Sequence, residues 1–110
     1  MEATAAARLA RDQGMERAAT SAERASPGWL AGARVALERY LQAHSGETFI
    51  CESVRLWAEG LDLIEPAANE RAWGNVFRNA ARDGLIRKTG EYELARSSHL
   101  SPKPLWSEAA

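Results

Sequence analysis

The chain has 110 residues, 45% hydrophobic and 26% charged, with a net charge of −1, the composition of one small globular domain rather than a disordered or membrane-spanning chain. No apolar run reaches the roughly 20 residues of a membrane span, and the alanine-rich start carries too many charges for a signal peptide, so a cytoplasmic location is expected. The single cysteine, Cys51, excludes an internal disulfide, and two histidines far apart in the chain leave no metal-ligand cluster.

Residues 2–25 favour helix by their alanine, arginine and glutamate content, but the apolar positions Leu9, Met15, Ala18, Ala19 and Ala22 are mostly small. This helix is expected to be an attachment to the domain, used for a protein partner or for pairing in a homodimer. Ser26-Pro27 reads as an N-cap followed by proline at the first helical position. From there Trp29, Ala33, Ala36, Leu37, Tyr40 and Leu41 line one face of a second helix that Gly46 stops.

Thr48, Phe49 and Ile50 are β-prone and lead into a third, short helix in which Val54, Trp57 and Ala58 share a face before Gly60. Leu61, Leu63 and Ile64 continue into a loop closed by Pro66. Asn69 is placed to cap a fourth helix ending near Asp83, with Gly84 behind it. "LIRKTGEYEL" then reads as two short strands turning at Thr89-Gly90, where glycine can take a positive φ. Residues 97–110, with Pro102 and Pro104, are expected as an extended tail anchored by Trp106. The division is thus an attached helix over 1–26, a domain over 27–96 and a tail over 97–110. Trp29, Leu37, Trp57, Trp73, Phe77 and Ile86 are expected to meet in its core.

Charge is unevenly spread. Residues 28–70 carry three positive against seven negative side chains, residues 71–110 seven against four. Three helices followed by a β-hairpin are the layout of a winged helix-turn-helix, mainly α with a small hairpin, here with an additional N-terminal helix. Its third core helix, over 69–83, is the one that enters the DNA major groove. At about 100° per residue, Arg71, Asn75, Arg78, Asn79 and Arg82 gather in one arc, while Trp73, Val76, Phe77 and Ala80 fill the opposite one. Arginine and asparagine donors suit guanine and adenine edges, and Arg87 and Lys88 on the hairpin add phosphate contacts. The same arc also fits a merely solvated face, since arginine is a good helix former. The absence of any acidic residue from it favours double-stranded DNA. Gly74, at the rim of the arc, costs roughly 1 kcal/mol relative to alanine within a helix and so marks a close approach by another backbone.

Arg71-Ala72-Trp73-Gly74, followed by Ala80-Ala81, Gly84-Leu85-Ile86, Gly90, Ser98-His99 and Trp106, resembles small winged-helix proteins encoded by phages and prophages, and the likeness extends to "RDQGMERA" in the first helix. The resemblance implies a DNA-binding protein with a regulatory or replication-associated role. This chain departs from that pattern at Ile50, where a hydroxyl residue is usual, and at Glu52-Ser53, where an acidic pair is usual. That removes the expected cap of the third helix.

Catalytic chemistry is not indicated. His99 beside Ser97 and Ser98 has no orienting third group, His44 stands where a helix C-terminus needs a donor, and no glycine-rich phosphate loop follows a strand. The expectation is a non-enzyme without cofactor or metal. A protein-binding adapter built on the same fold is the competing reading, supported by the acidic middle and the first helix.

Overall fold

A computed structural model describes residues 4–95 and 101–109. The element order is α1 (Ala5–Ala25), α2 (Trp29–Ala43), α3 (Cys51–Gly60), α4 (Arg71–Arg82), β1 (Ile86–Ala95) and β2 (Ser101–Glu108). The result is mainly helical, with one two-stranded antiparallel sheet. Among the described residues no helix is long and apolar enough to cross a membrane.

Several helix boundaries have a local cause. The Thr4 Oγ1 accepts from the Ala7 N–H at 3.1 Å and opens α1. The cap of α2 differs from the expected Ser26-Pro27. Gly28, at φ +89°, occupies the capping position without a side chain to offer. The missing acceptor comes from the preceding helix: Glu23 takes the Gly28 N–H at 2.8 Å and the Leu30 N–H at 3.0 Å. These two donors hold the Glu23 carboxyl below the usual carboxylate range. Asn69 acts near its expected place, its Oδ1 accepting from the Arg71 N–H at 2.9 Å. Gly84, at φ +81°, closes α4, with the Leu85 N–H donating back to the Ala80 carbonyl at 2.9 Å.

Trp73, Phe77, Leu37, Ile86 and Val54 are the largest fully buried side chains. Around them the aromatic rings meet edge to face. Trp29 lies 5.6 Å from Trp73, Phe77 lies 5.5 Å from Trp106 and 6.0 Å from Phe49, and Tyr40 lies 5.4 Å from Phe49. Of the six residues expected in the core, Trp57 alone stays partly buried at its rim. Trp29 also ties the loop before α4 to the core, its indole Nε1 donating to the Glu65 carbonyl at 2.7 Å.

The sheet corrects two expectations. Thr89-Gly90 does not turn the chain. β1 runs on through it to Ala95, and its partner is β2 from the segment expected as a tail. Ile86 faces Glu108, Lys88 faces Trp106, the register slips between Lys88 and Tyr92, and the pairing resumes with Tyr92 opposite Pro104. Gly90 spends its positive φ, +91°, in that bulge. The Thr89 hydroxyl fastens the bulge, donating to the Leu105 carbonyl and accepting from the Glu91 N–H, each at 3.1 Å. Trp106 anchors this strand as expected, and it does more. Its N–H donates to the Phe49 carbonyl at 2.8 Å and its carbonyl accepts the Phe49 N–H at 3.0 Å, so the segment between α2 and α3 joins the edge of β2.

Candidate nucleic-acid interface

The arc of α4 singled out by the sequence is not an open surface. α1 runs along it, placing Ala18, Ala19 and Ala22 in buried positions and bringing the two glycines of the pair of helices to the seam. A Cβ on Gly74 would lie 3.2 Å from Met15 Cγ and nearer still to its sulfur. A Cβ on Gly14 would stand 2.9 Å from Arg71 Nη1. The close approach expected at Gly74 is made by a methionine side chain of α1.

Arg78, at the middle of the arc, reaches two carboxylates of α1, Glu16 Oε1 at 3.0 Å and Asp12 Oδ1 at 3.7 Å. Asn75 is buried at 7% exposure, and its Oδ1 accepts from Asn79 Nδ2 at 2.9 Å. Asn79 itself is half-buried. Arg71 and Arg82, at the two ends of the helix, are exposed. Arg82 turns toward Asp83 at 3.6 Å, and Asp83 in turn holds Arg34 at 3.0 Å. The Arg34 guanidinium, with help from Arg82, keeps the Asp83 carboxyl below its usual range. Arg87 and Lys88 are exposed on β1, with Lys88 Nζ 5.6 Å from the centre of the Trp106 ring.

The seven candidate residues therefore fall into two groups. Arg71, Arg82, Arg87 and Lys88 are exposed, whereas Arg78 is paired with carboxylates of α1 and Asn75 and Asn79 are hydrogen-bonded to each other. Sequence reasoning found no acidic residue within the arc of α4 and missed that the counter-charges come from another helix. Asp12 and Glu16 are spaced i, i+4, so they share one face of α1. Together with a glycine in each helix, that spacing was the available signal.

Other candidate groups have structural tasks. His44 Nδ1 lies 3.0 Å from the Tyr40 carbonyl, and its ring stacks on Tyr40 at 4.0 Å, consistent with the C-terminal position read from the sequence. Burial pushes the Cys51 thiol up to about 12, which keeps it protonated and unreactive at neutral pH. Ser97, Ser98 and His99 lie outside the described residues. Among the described residues no group of three or more His, Cys, Asp or Glu side chains could hold a metal ion. Set against family models, curated proteins and solved structures, the chain matches none of them.

Proposed function

We propose that this chain is a winged helix-turn-helix DNA-binding protein with an added N-terminal helix, acting in the cytoplasm in a regulatory or replication-associated role of the kind found in phages and prophages, and that it is a binding protein rather than an enzyme. The observation that carries the reading is the Phe49–Trp106 bridge. It ties the segment after α2 to the strand pair after α4, so that α2, α3 and α4 sit against a wing whose exposed strand carries Arg87 and Lys88. With Arg71 and Arg82 at the ends of α4, these cations supply phosphate contacts that need no rearrangement.

A protein-binding adapter is the second reading. It is favoured by the covered arc of α4 and by Tyr92 and Leu94, two large apolar residues exposed on the hairpin. A titration of the full chain against duplex and single-stranded DNA at several salt concentrations separates the two. DNA binding predicts an affinity for duplex that falls with log salt at a slope of about −0.9 per phosphate contact. Absence of duplex binding at moderate salt would leave the adapter.

A further inference from the structure

We infer that this chain pairs with a second copy of itself along the free edge of β1, antiparallel about a two-fold axis at Gly90, with Arg87 of each copy against Glu93 of the other. The inference goes beyond the DNA-binding reading and does not depend on it. α1, the element expected from the sequence to serve a homodimer, buries its Ala18, Ala19 and Ala22, and two of these, Ala18 and Ala22, belong to the main core. β1 is the element left with free pairing groups. Its strand hydrogen bonds run to β2, and among the described residues no backbone hydrogen bond joins residues 86–95 to any other element. The outer edge of β2, by contrast, is met by Phe49. An unpaired strand edge is a template for another strand.

The residues on that edge select a copy of themselves. To either side of Gly90, β1 is basic toward its start, with Arg87 and Lys88, and acidic toward its end, with Glu91 and Glu93. Antiparallel self-pairing brings Arg87 opposite Glu93 on both sides of the axis, whereas parallel pairing would set like charges together. Both side chains are exposed and neither forms an ion pair among the described residues, although Glu93 stands opposite Lys103 on β2. The same register sets Tyr92, 66% exposed, beside Lys88, whose ammonium lies over Trp106, and Leu94, 55% exposed, beside Ile86. Two large apolar side chains of each copy thereby leave water. The bulge fixes the axis. Bulges ordinarily protect an edge by spoiling its fit to a regular partner, and this one lies between Lys88 and Tyr92. Only with the axis at Gly90 does the bulge of one copy fall opposite that of the other, which leaves residues 86–88 and 92–94 to pair as regular strand. A Cβ on Gly90 would meet nothing within 4 Å, so there is room for the second chain to approach. Two copies so joined form one four-stranded antiparallel sheet. For a DNA-binding chain they would present two equivalent faces to a site of two-fold symmetry, and the five N–H donors of Arg87 allow it to hold a carboxylate and still face a phosphate.

The test is the mass of the full chain in solution, measured by sedimentation equilibrium over rising protein concentration without DNA. The wild type should pass from monomer to dimer, and hydrogen exchange of the β1 amides should slow as the dimer forms. Arg87→Glu and Glu93→Arg should each weaken the dimer about ten- to a hundredfold, since both ion pairs become repulsions. Both positions are exposed, so the fold, checked by circular dichroism, should not change. Mixing the two single variants should restore a dimer of about wild-type strength, because every altered side chain then faces one of opposite sign. Joining both substitutions in one chain should do the same. A wild type still monomeric at about 1 mM overturns the proposal. A dimer that neither substitution weakens overturns it as well, and so does one that both weaken but that mixing fails to rescue. None of these outcomes touches the DNA-binding reading, which the duplex titration decides separately.

Discussion

α4 is buried on two sides by opposite kinds of chemistry. On one side Trp73, Val76, Phe77 and Ala80 enter a core of interlocking rings and branched side chains. On the other, Gly74 meets Met15 and Arg78 meets two carboxylates of α1, whose buried side chains are the alanines Ala18, Ala19 and Ala22. The ring side is fully buried and the α1 side only partly, and the energy of burial differs with it. Apolar area removed from water contributes about 25 cal/mol per Å², and an alanine methyl removes little of it. The ring side therefore contributes most of the apolar burial, and Ala18 and Ala22 of α1 add a smaller share to the same core.

The largest effect that separates the two sides is core truncation. Trp73→Ala should cost about 3–5 kcal/mol and unfold a domain of this size, whereas Met15→Ala, on the half-buried side, should cost about 1 kcal/mol. Comparable losses in urea denaturation would mean that α1 belongs to the core on equal terms. Next in size is Arg78→Ala. The fold should lose less than about 1 kcal/mol, while discrimination between a specific and a scrambled duplex should fall by about 1–3 kcal/mol. Unchanged discrimination would show that the polar side of α4 reads nothing.

Lys88→Ala should weaken binding to all duplexes alike and reduce the salt slope by about one unit, as expected of a phosphate contact remote from the seam. The smallest effect concerns the corner. The Glu23 carboxyl is lowered in the folded chain because the Gly28 and Leu30 N–H groups donate to it. Its contribution to stability is present above the ordinary carboxylate pKa and is lost as pH falls through its own lowered value. Glu23→Ala should accordingly denature earlier than the wild type at neutral pH, with the difference vanishing in acid; a difference independent of pH would assign the effect to packing.

How far the sequence revealed this arrangement depends on residue size and on sequence separation. The apolar face of α2 from Trp29 to Leu41 and that of α4 from Trp73 to Ala80 were readable, because large side chains at helical spacing announce which way they point. The anchoring by Trp106 was readable because a lone large aromatic in a small, polar segment needs a place to bury its ring. The seam was not: alanines do not mark a face, and the Arg78–Glu16 pair joins residues 62 positions apart. The strand pairing was misread because Thr-Gly fits both a tight turn and a bulge, and because Pro102 and Pro104, which lack donors, read as a tail although a strand with a lightly used edge tolerates them.

The pairing of Phe49 with Trp106 has a consequence for how the chain is made. During synthesis α2, α3 and α4 leave the ribosome first and can collapse on one another through local contacts. The flank of Phe77 toward the sheet nevertheless stays open until Trp106 arrives to close it. A nascent chain therefore carries an uncovered aromatic patch from the synthesis of Phe77 until that of Trp106, and its closure couples the quality of the whole domain to the emergence of a single late tryptophan.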